Sequence, residues 1–446
     1  MKSKMKISSQ PSALFDKFVG QLYAAIEQPI NADHIQGSAH RLLDGAAAEA
    51  AQTLLPLNYR QQYGIFFSGH EIAVRAATQF GSTWDTGQTI FDPACGAGDL
   101  LLAAARQMPL KKNIIETIRS WTLRIGGCDI HSKFVEATRA RLLLLAKNRH
   151  IDRGDSFKPT PLESWMFEKI ECADYLENDT FGRSYSYIIA NPPFGNTKAP
   201  DDCSWSTGQT QLAAVFLDTI IKRAQPDQHI VAILPDVLRS GTRYDRWRTK
   251  ICTHASRINV LPYGRFDDQT DVDVFLLDIK VKNKPDDVDT KNSWPLFQIN
   301  NNNEAQNLLR DKYDVRIGSV VPHRLTGRGK WAAYLCVKSA PPFSETTPQK
   351  KLRFEGALFN PPFLVIRRTS NPADTHRIIP TVVTGEHPVA VENHLIAIFP
   401  KSNELSSCLA LYRQLVSHQS REWLDNAIRC RHITKRVLLN LPIGDI

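Results

Sequence analysis

The chain has 446 residues, of which 42% are hydrophobic and 23% charged, with 55 Lys and Arg against 46 Asp and Glu. This length predicts two or three domains, and the composition excludes a globally disordered chain. No apolar run approaches the roughly 18 residues of a membrane span, and the basic N-terminus, MKSKMKISSQPSALF, lacks the apolar segment of a secretory signal.

The N-terminal segment, residues 1–62, is predicted to be helical. Apolar residues recur there at helical spacing, namely Leu14, Phe15, Phe18, Leu22 and Ile26. A second run, from Ser38 to Leu55, is rich in Ala and Leu. The segment carries no pattern of catalytic residue types, so we interpret it as a packing or lid segment.

Residues 63–283 are predicted to form an α/β domain in which strands and helices alternate. The expected strands are TIFDPA, LRIGGCDI, YSYIIANPP, HIVAILPD and DVFLLDIKV. The expected helices are LLLAAARQM, HSKFVEATRARLLLLAKN, AAVFLDTIIKRAQ and RYDRWRTKICTHA. Such alternation is typical of a parallel, doubly wound sheet, which binds ligands at the carboxyl ends of its strands.

A glycine-rich turn, DPACGAGD, joins the first of these strands to the first helix and contains Asp92, Gly96 and Gly98. Glycines let the backbone approach a ligand closely, and a helix N-terminus directs free N–H groups at it. The turn matches neither G-x-G-x-x-G nor the phosphate-binding loop, because Gly98 is followed by Asp99. An acidic turn is a poor phosphate cradle. A ligand with an amine and a sulfonium, such as S-adenosylmethionine, suits it better.

The ends of the next two strands also carry carboxylates. Asp129 ends the second strand, where it can accept hydrogen bonds from ribose hydroxyls, and Ile130 can pack on an adenine face. The alternative is that Asp129 only caps the helix that starts near Ser132. Asp174 is expected after a third strand, where it can accept from an adenine amino group. Taken alone, Asp174 is no more informative than a surface aspartate.

The tetrapeptide N-P-P-F follows the fourth strand, at Asn191, Pro192, Pro193 and Phe194. The Asn191 amide oxygen and the Pro192 carbonyl can together accept both hydrogens of a planar amino group. A planar amine, as in adenine, needs such acceptors because they stabilise the tetrahedral geometry in which its nitrogen is nucleophilic. Phe194 can stack on the ring that carries the amine. The tetrapeptide is therefore our candidate catalytic motif.

A second copy of N-P-P-F occurs at Asn360 to Phe363, in EGALFNPPFLVIRR. It lacks a preceding buried strand and leads into one instead. Its prolines are most simply interpreted as the entry to a strand. We therefore assign the chemistry to the first copy and a structural role to the second.

The C-terminal region, residues 284–446, is predicted to be a separate α+β module. A shift in composition at NKPDDVDTKN and QINNNNEAQ marks a linker or loop near residues 283–303. Residues 301–446 hold 20 Lys and Arg against 12 Asp and Glu, whereas the first 300 residues are nearly neutral. This distribution is typical of a catalytic domain followed by one that binds a polyanion, although it also fits a merely soluble surface.

Eight cysteines are scattered along the chain, and no two form a C-x-x-C pair. This spacing argues against a zinc site or a disulfide framework and predicts that no metal is bound. It also predicts reduced thiols and a cytoplasmic location.

With these motifs in order, residues 60–282 resemble the adenine-specific DNA methyltransferases of restriction–modification and defence systems. DPACGAGD is similar to their cofactor turn D-P-A-C-G-S-G, with Ala97 at the Ser position, and NPPF is similar to their catalytic tetrapeptide. GIFFSGHEIA is similar to the segment before the turn, where F-[FY]-T-P is common, but Ser68, Gly69 and His70 replace Thr-Pro. The order of the motifs is the gamma-type order of type I modification subunits and solitary type II enzymes.

The resemblance implies a Rossmann-like fold, S-adenosylmethionine as the cofactor and base flipping of the target adenine. The cofactor-binding residues that it implies, together with those argued above, are Phe66, Phe67, Asp92, Pro93, Ala94, Cys95, Gly96, Gly98, Asp129, Ile130, Asp174 and Tyr175. It also implies Phe266 as a second aromatic residue beside the flipped base. Double-stranded DNA is the expected partner, and the candidate contacts are Arg324, Arg328, Lys330, Arg367, Arg368 and Arg431, with Arg429, Lys435 and Arg436 nearby.

Two other functions compete with adenine methylation of DNA. Methyltransferases of RNA guanine and of protein glutamine also use N-P-P-[FY] at this strand end, but they usually lack so long a basic module. Alternatively, the chain is a DNA-binding modification subunit that needs a separate specificity or defence-system partner. No membrane partner is expected, and no segment resembles a nuclease site.

Overall fold

The structure, a computed structural model, describes residues 10–28, 40–56, 60, 67–81, 84, 87–153, 161–266, 272–283, 294–295, 307–370, 374–429 and 431–444. The chain divides into two compact units. The first comprises Met1–Leu238 and Arg243–Pro295, and the second comprises Arg239–Thr242 and Leu296–Ile446. None of the described helices is long and apolar enough to cross a membrane.

The first unit begins with helices, as the apolar spacing predicts. Within the predicted segment they are α1 (Gln10–Glu27) and α2 (Ala46–Leu54), and α3 (His70–Ala77) follows beyond its end at residue 62. Four of the five apolar residues predicted to share one helical face are buried, namely Phe15, Phe18, Leu22 and Ile26. The side chain of Leu14 lies outside the described part of the chain.

The core of the first unit is a sheet with helices on its faces. The strands of this unit are β1 (Ile90–Asp92), β2 (Ile125–Asp129), β3 (Ile170–Cys172), β4 (Tyr187–Ala190), β5 (Asn196–Lys198), β6 (Gln209–Gln211), β7 (His229–Pro235), β8 (Ala255–Arg265) and β9 (Asp273–Val281). The further helices are α4 (Asp99–Gln107), α5 (Ile114–Arg124), α6 (Ser132–Ile151), α7 (Leu212–Arg223), α8 (Asp236–Ser240) and α9 (Asp245–His254). Among the described residues, seven strands pair in the order β3-β2-β1-β4-β7-β9-β8, and β5 and β6 form a separate hairpin.

The sheet is parallel only in part. The pairs that link β3, β2, β1, β4 and β7 are parallel, as predicted, whereas β9 is antiparallel to both β7 and β8. The prediction of a wholly parallel sheet is therefore wrong at this edge. Only residues 266–272 separate β8 from β9, and a connection that short cannot hold the crossover that parallel neighbours need.

Three helices of the first unit, α3, α5 and α8, were absent from the predicted elements. Residues 114–124 form α5, which ends at Arg124 and is followed directly by β2. The expected strand LRIGGCDI therefore starts two residues later than predicted. Arg124 explains the boundary in part. Its guanidinium Nη2 and Nε donate to the carbonyls of Trp84 and Gln88 and hold the residue at the end of α5.

The second unit is an α+β module, as predicted. Its helices are α10 (Leu309–Lys312), α11 (Leu405–Leu415), α12 (His418–Ala427) and α13 (Lys435–Leu439). Its strands are β10 (Tyr313–Ile317), β11 (Lys330–Leu335), β12 (Ser344–Thr346), β13 (Lys351–Phe354), β14 (Phe363–Arg367), β15 (Pro380–Val383), β16 (Val389–Val391) and β17 (Leu395–Pro400). Within the described residues these strands form two sheets, in the orders β10-β17-β14-β15-β12 and β13-β11-β16.

The second N-P-P-F copy runs directly into β14, which begins at Phe363. Phe363 is fully buried in an apolar cluster of this unit with Val365, Val389 and Leu395. The prediction that this copy opens a strand is thus confirmed. The apolar sequence that follows the motif serves the core of the second unit.

Candidate active site

The turn after β1 depends on its two glycines. Gly96 and Gly98 have φ values of +51° and +90°, in the left-handed region that favours glycine. A Cβ on Gly96 would lie 2.7 Å from Cε1 of Phe67, and one on Gly98 would lie 2.8 Å from Cγ2 of Thr138. Thr138 also donates through Oγ1 to the Gly96 carbonyl at 2.8 Å. Both positions therefore require glycine for space as well as for conformation.

Asp92 lies beneath this turn and is only 1% exposed. Its Oδ1 accepts a hydrogen bond from the Ala94 N–H at 3.0 Å, whereas its Oδ2 is buried with no hydrogen-bond partner among the described residues. Burial raises the pKa of Asp92 to about 8, and the hydrogen bond from Ala94 only partly opposes this. At neutral pH the carboxyl of Asp92 is therefore largely protonated.

Asp129, at the end of β2, holds the turn from the neighbouring strand. Its Oδ2 accepts from the Gly96 N–H at 3.0 Å and its Oδ1 accepts from the His131 N–H at 2.8 Å. His131 is the N-cap residue of α6, which begins at Ser132, so Asp129 holds the start of this helix as well as the glycine turn. Burial raises the pKa of Asp129 to about 6, and the two backbone hydrogen bonds oppose the rise. The carboxylate is thus mainly ionised at pH 7.

A pocket opens at the carboxyl ends of β1, β2, β3 and β4. The predicted site residues that line it are Phe67, Pro93, Ala94, Gly96, Asp129, Ile130, Asp174, Tyr175, Asn191 and Pro193. The structure therefore brings together segments that are far apart in sequence. Asp92, Cys95 and Gly98 support the turn without lining this pocket, and Phe66 lies outside the described residues.

Four residues that the motifs did not predict complete the pocket wall, namely His131, Phe134, Ala173 and Phe216. The Phe216 ring stacks on Tyr175, with centroids 6.2 Å apart and an angle of 18° between the planes. Burial lowers the pKa of His131 to about 4, so this side chain is neutral at physiological pH. These walls are flat and apolar, as a bound aromatic ring would require.

Asn191 is held by a residue from the segment before the turn. Its Nδ2 donates to Oγ of Ser68 at 2.9 Å, and Ser68 is only 3% exposed. Because the amide is planar, this bond turns the Oδ1 acceptor of Asn191 away from Ser68. Ser68 stands where the methyltransferase pattern usually has Thr, so the substitution retains a hydroxyl.

Two of the other three tetrapeptide residues are buried more deeply than Asn191. Pro192 and Phe194 are buried, and Pro193 is the proline that lines the pocket. Phe194 meets Phe266 edge to face, with ring centroids 5.5 Å apart and planes at 73°. A base between two parallel rings needs a separation of about 7 Å, or twice the usual stacking distance. The two rings therefore contact each other here and enclose no space for a base.

Asp174 has a local structural role. Its Oδ1 accepts from the Leu176 N–H at 2.8 Å and caps the single 3₁₀ turn at Tyr175–Glu177. The side chain is exposed and also borders the pocket. Asp174 is thus a surface aspartate, and it also lies at the edge of the predicted cofactor pocket.

The N-terminal helices reach this site through packing and through one buried arginine. Phe67 packs edge to face on Phe134, and Phe15 of α1 packs on both rings. Arg141 of α6, whose side chain is 0% exposed, donates to the Ala97 carbonyl and to Asp99 Oδ1 at the turn. The same guanidinium donates to the carbonyls of Leu42 and Leu43. Arg141 therefore joins the N-terminal segment to the turn.

In the second unit, the predicted DNA contacts fall into two groups. Arg324 and Arg328 are exposed on the segment that leads into β11, and Lys330 is exposed as the first residue of that strand. Arg367 and Arg368 are half-buried at the end of β14, and Arg431 is exposed beside them, since its carbonyl accepts from the Ser370 N–H at 2.9 Å.

Comparison with known proteins gives the chain a family. Residues 58–312 match the family model described as N-6 DNA Methylase. A search of curated proteins found no match. Among solved structures, the type IIL restriction-modification enzyme MmeI in complex with DNA is similar, with a TM-score of 0.53 and 13% identity over 89% of this chain and 70% of that one. This likeness shows the fold, and the first unit is Rossmann-like.

Two further structures share weaker likeness. A DrdV–DNA complex has 17% identity and a TM-score of 0.44, over 57% of this chain and 30% of that one. A modification subunit of a type I restriction enzyme from Vibrio vulnificus YJ016 has 20% identity and a TM-score of 0.39, over 56% of this chain and 50% of that one. The chain thus spans half or less of these two proteins.

Proposed function

The chain belongs to the N-6 DNA methylase family, and on that premise we propose that it transfers a methyl group from S-adenosylmethionine to the 6-amino group of an adenine flipped out of duplex DNA. The observation that carries the proposal is one shared pocket. The glycine turn, Asp129 and Asn191 line the same cavity, although Asn191 lies far from the turn in sequence. Methyl transfer requires the methyl donor and the accepting amine to lie in contact, and one shared cavity provides for this.

The residues of the pocket fit S-adenosylmethionine. Asp129 is a largely ionised carboxylate that suits ribose hydroxyls, and Ile130, Tyr175 and Phe216 offer apolar surface for an adenine ring. The acidic, glycine-rich turn suits an amine and a sulfonium better than a phosphate. When bound, this cofactor supplies an electrophilic methyl group.

Asn191 and Pro192 would act on the target amine. Two acceptors on one amino group favour the tetrahedral nitrogen whose lone pair points at the methyl carbon. Ser68 fixes the amide of Asn191 from behind through the 2.9 Å hydrogen bond, so the acceptor is oriented before the base arrives. On this proposal the rings of Phe194 and Phe266 move apart to admit the base, because in the structure they contact each other where the base would stack.

The second unit would bind the DNA duplex. Its excess of Lys and Arg supplies phosphate contacts, while the pocket of the first unit handles one base. A separate specificity or defence-system subunit remains the alternative source of target recognition. We assign the protein to a restriction-modification or phage-defence setting in the cytoplasm, where it would meet its DNA.

The test is methyl transfer by the purified full chain. With labelled S-adenosylmethionine, wild-type protein should methylate adenine in duplex DNA, and Asn191→Ala should abolish the transfer while calorimetry still detects cofactor binding. Label in RNA or protein and none in DNA would overturn the proposal. Sequencing host DNA for modified adenine, with and without the gene, identifies the target site.

A further inference from the structure

Trp331, the second residue of β11, is 66% exposed. Tryptophan is normally largely buried because its ring carries a large apolar surface. An indole that is largely exposed on a regular strand offers a partner a flat apolar surface, and tryptophan is enriched at interfaces.

Two cations lie on the same side of this ribbon. In the antiparallel pairing of β11 with β13, Trp331 is directly opposite Arg353, and Ala333 is opposite Lys351. Directly opposite residues share a face of the sheet. The Arg353 guanidinium lies over the Trp331 ring, 5.5 Å from its centroid, which is a cation–π arrangement. Lys351 and Arg353 are both exposed, so the face presents a flat aromatic–cation pair and a second cation.

The other face of the ribbon already has its packing partners. Ala332 is buried with Val320 and Ala390, and Tyr334, Leu352 and Phe354 pack against that cluster. On the face of Trp331, Leu335 is buried and Ala333 packs against a second cluster, so this face is exposed at its Trp331 end. Neither cluster involves Trp331, Lys351 or Arg353.

Positive charge in the second unit is concentrated around this ribbon. Residues 322–356 hold seven Lys and Arg and two Glu, whereas residues 403–427, which include α11 and α12, hold two Arg and three acidic residues. A basic ribbon forms a local positive field that attracts a polyanion.

We infer that the exposed face of the β11–β13 ribbon, formed by Trp331, Lys351 and Arg353, is a contact surface for duplex DNA. The major groove of DNA admits a two-stranded ribbon, and β13 is the edge strand of its sheet, so the ribbon can approach it. Lys351 and Arg353 contact phosphates, and the neutral indole contributes apolar contact with base or sugar. This inference rests on the proposed function, because it names where the proposed DNA partner is held.

The test is the affinity of the full chain for a labelled mixed-sequence duplex, measured by fluorescence anisotropy between 50 and 200 mM salt. Lys351→Ala and Arg353→Ala should each lower the slope of log affinity against log salt by about 1, because each removes a phosphate contact. Trp331→Ala should weaken binding about fivefold to tenfold with the slope unchanged, since the indole is neutral. Trp331→Phe should recover most of that loss. Arg413→Ala, which removes an exposed cation of α11, is the matched control and should leave the slope unchanged.

The inference would be overturned if all three ribbon variants bound DNA with the slope and affinity of wild type. It would also be overturned if Arg413→Ala lowered the slope as much as the ribbon variants do. The melting temperature of each variant checks that the unit stays folded. Methyl transfer by wild type, measured in the same preparation, separates the two proposals. If wild type methylates DNA while Trp331→Ala, Lys351→Ala and Arg353→Ala bind like wild type, only the ribbon surface is wrong. If wild type binds duplex through the ribbon but transfers no methyl group to DNA, the proposed function fails and the surface stands.

Discussion

Ser68 accepts a hydrogen bond from Nδ2 of Asn191 at 2.9 Å, although 123 residues separate them in the chain. The bond joins the segment before the glycine turn to the tetrapeptide after β4. It makes Ser68 a positioning residue for the amide that we propose to act on the target amine.

Replacing Ser68 tests this role. Ser68→Ala leaves Nδ2 of Asn191 without its acceptor, and we expect kcat to fall about tenfold to a hundredfold, the value of one oriented hydrogen bond. The KM for DNA and the affinity for the cofactor should change little. Ser68→Thr retains the hydroxyl and should restore most of kcat, whereas equal losses in both variants would mean that Ser68 acts only through packing.

Gly96→Ala should damage the cofactor pocket directly. The backbone at Gly96 has a φ of +51°, and an added Cβ would lie 2.7 Å from the Phe67 ring. The conformational strain alone costs about 1 kcal/mol. We expect a lower melting temperature and cofactor binding weakened at least tenfold, as measured by calorimetry. Gly20→Ala on α1, where an added Cβ meets nothing within 4 Å, is the matched control and should preserve both properties.

Asp129 and Asp174 should differ in importance. Asp129→Ala removes the acceptor of two backbone N–H groups and the carboxylate proposed for the ribose, so cofactor affinity should fall about tenfold to a hundredfold. Asp174→Ala removes an exposed side chain that caps a short turn, and its effect should be severalfold smaller. Equal affinities for Asp129→Ala and wild type, by calorimetry, would remove the assigned role of Asp129.

Asp92 gives the stability of the first unit a defined pH dependence. Its pKa is raised from 3.8 to about 8, so between those values the unfolded chain ionises this group while the folded chain keeps it protonated. The stabilisation is complete below about pH 4 and is lost as the pH rises, by up to about 1.4 kcal/mol per unit.

Asp92→Asn keeps the shape of the side chain and removes its ionisation. Its melting temperature relative to wild type should therefore rise as the pH goes from 5 to 8, in protein without cofactor. Asp314→Asn changes an exposed carboxylate of β10 and provides the comparison. A melting-temperature difference for Asp92→Asn that is the same at both pH values would show that Asp92 is ionised in the fold.

Phe266→Ala should affect the DNA step and spare the cofactor. Phe266 contacts Phe194 and does not line the cofactor pocket. We expect a higher KM for DNA or a lower kcat, with cofactor affinity within twofold of wild type by calorimetry. A loss confined to cofactor binding would place Phe266 in a different role.

The sequence predicted the parts of this site that depend on local pattern and sheet geometry. Gly96 and Asn191 follow a strand and Asp129 ends one. Parallel strands bring their carboxyl ends to one edge, so the meeting of these three residues was predictable. Phe134 and Phe216 were not predictable, because a phenylalanine near the start of a helix looks like any core residue. The antiparallel edge follows from the short connection between β8 and β9, and the apolar pattern of the strands themselves does not show their direction.

Arg141 has a practical consequence for anyone who recombines this protein with its relatives. Its guanidinium is buried between the carbonyls of Leu42 and Leu43 and the turn at Ala97 and Asp99. A graft or truncation that starts at residue 63 would remove two of these acceptors and expose Phe67 and Phe134 on the side that Phe15 covers. A fragment that carries the intact catalytic site to another protein therefore has to begin upstream of Phe15. In a chimera, the junction with the relative's sequence should be placed after β9.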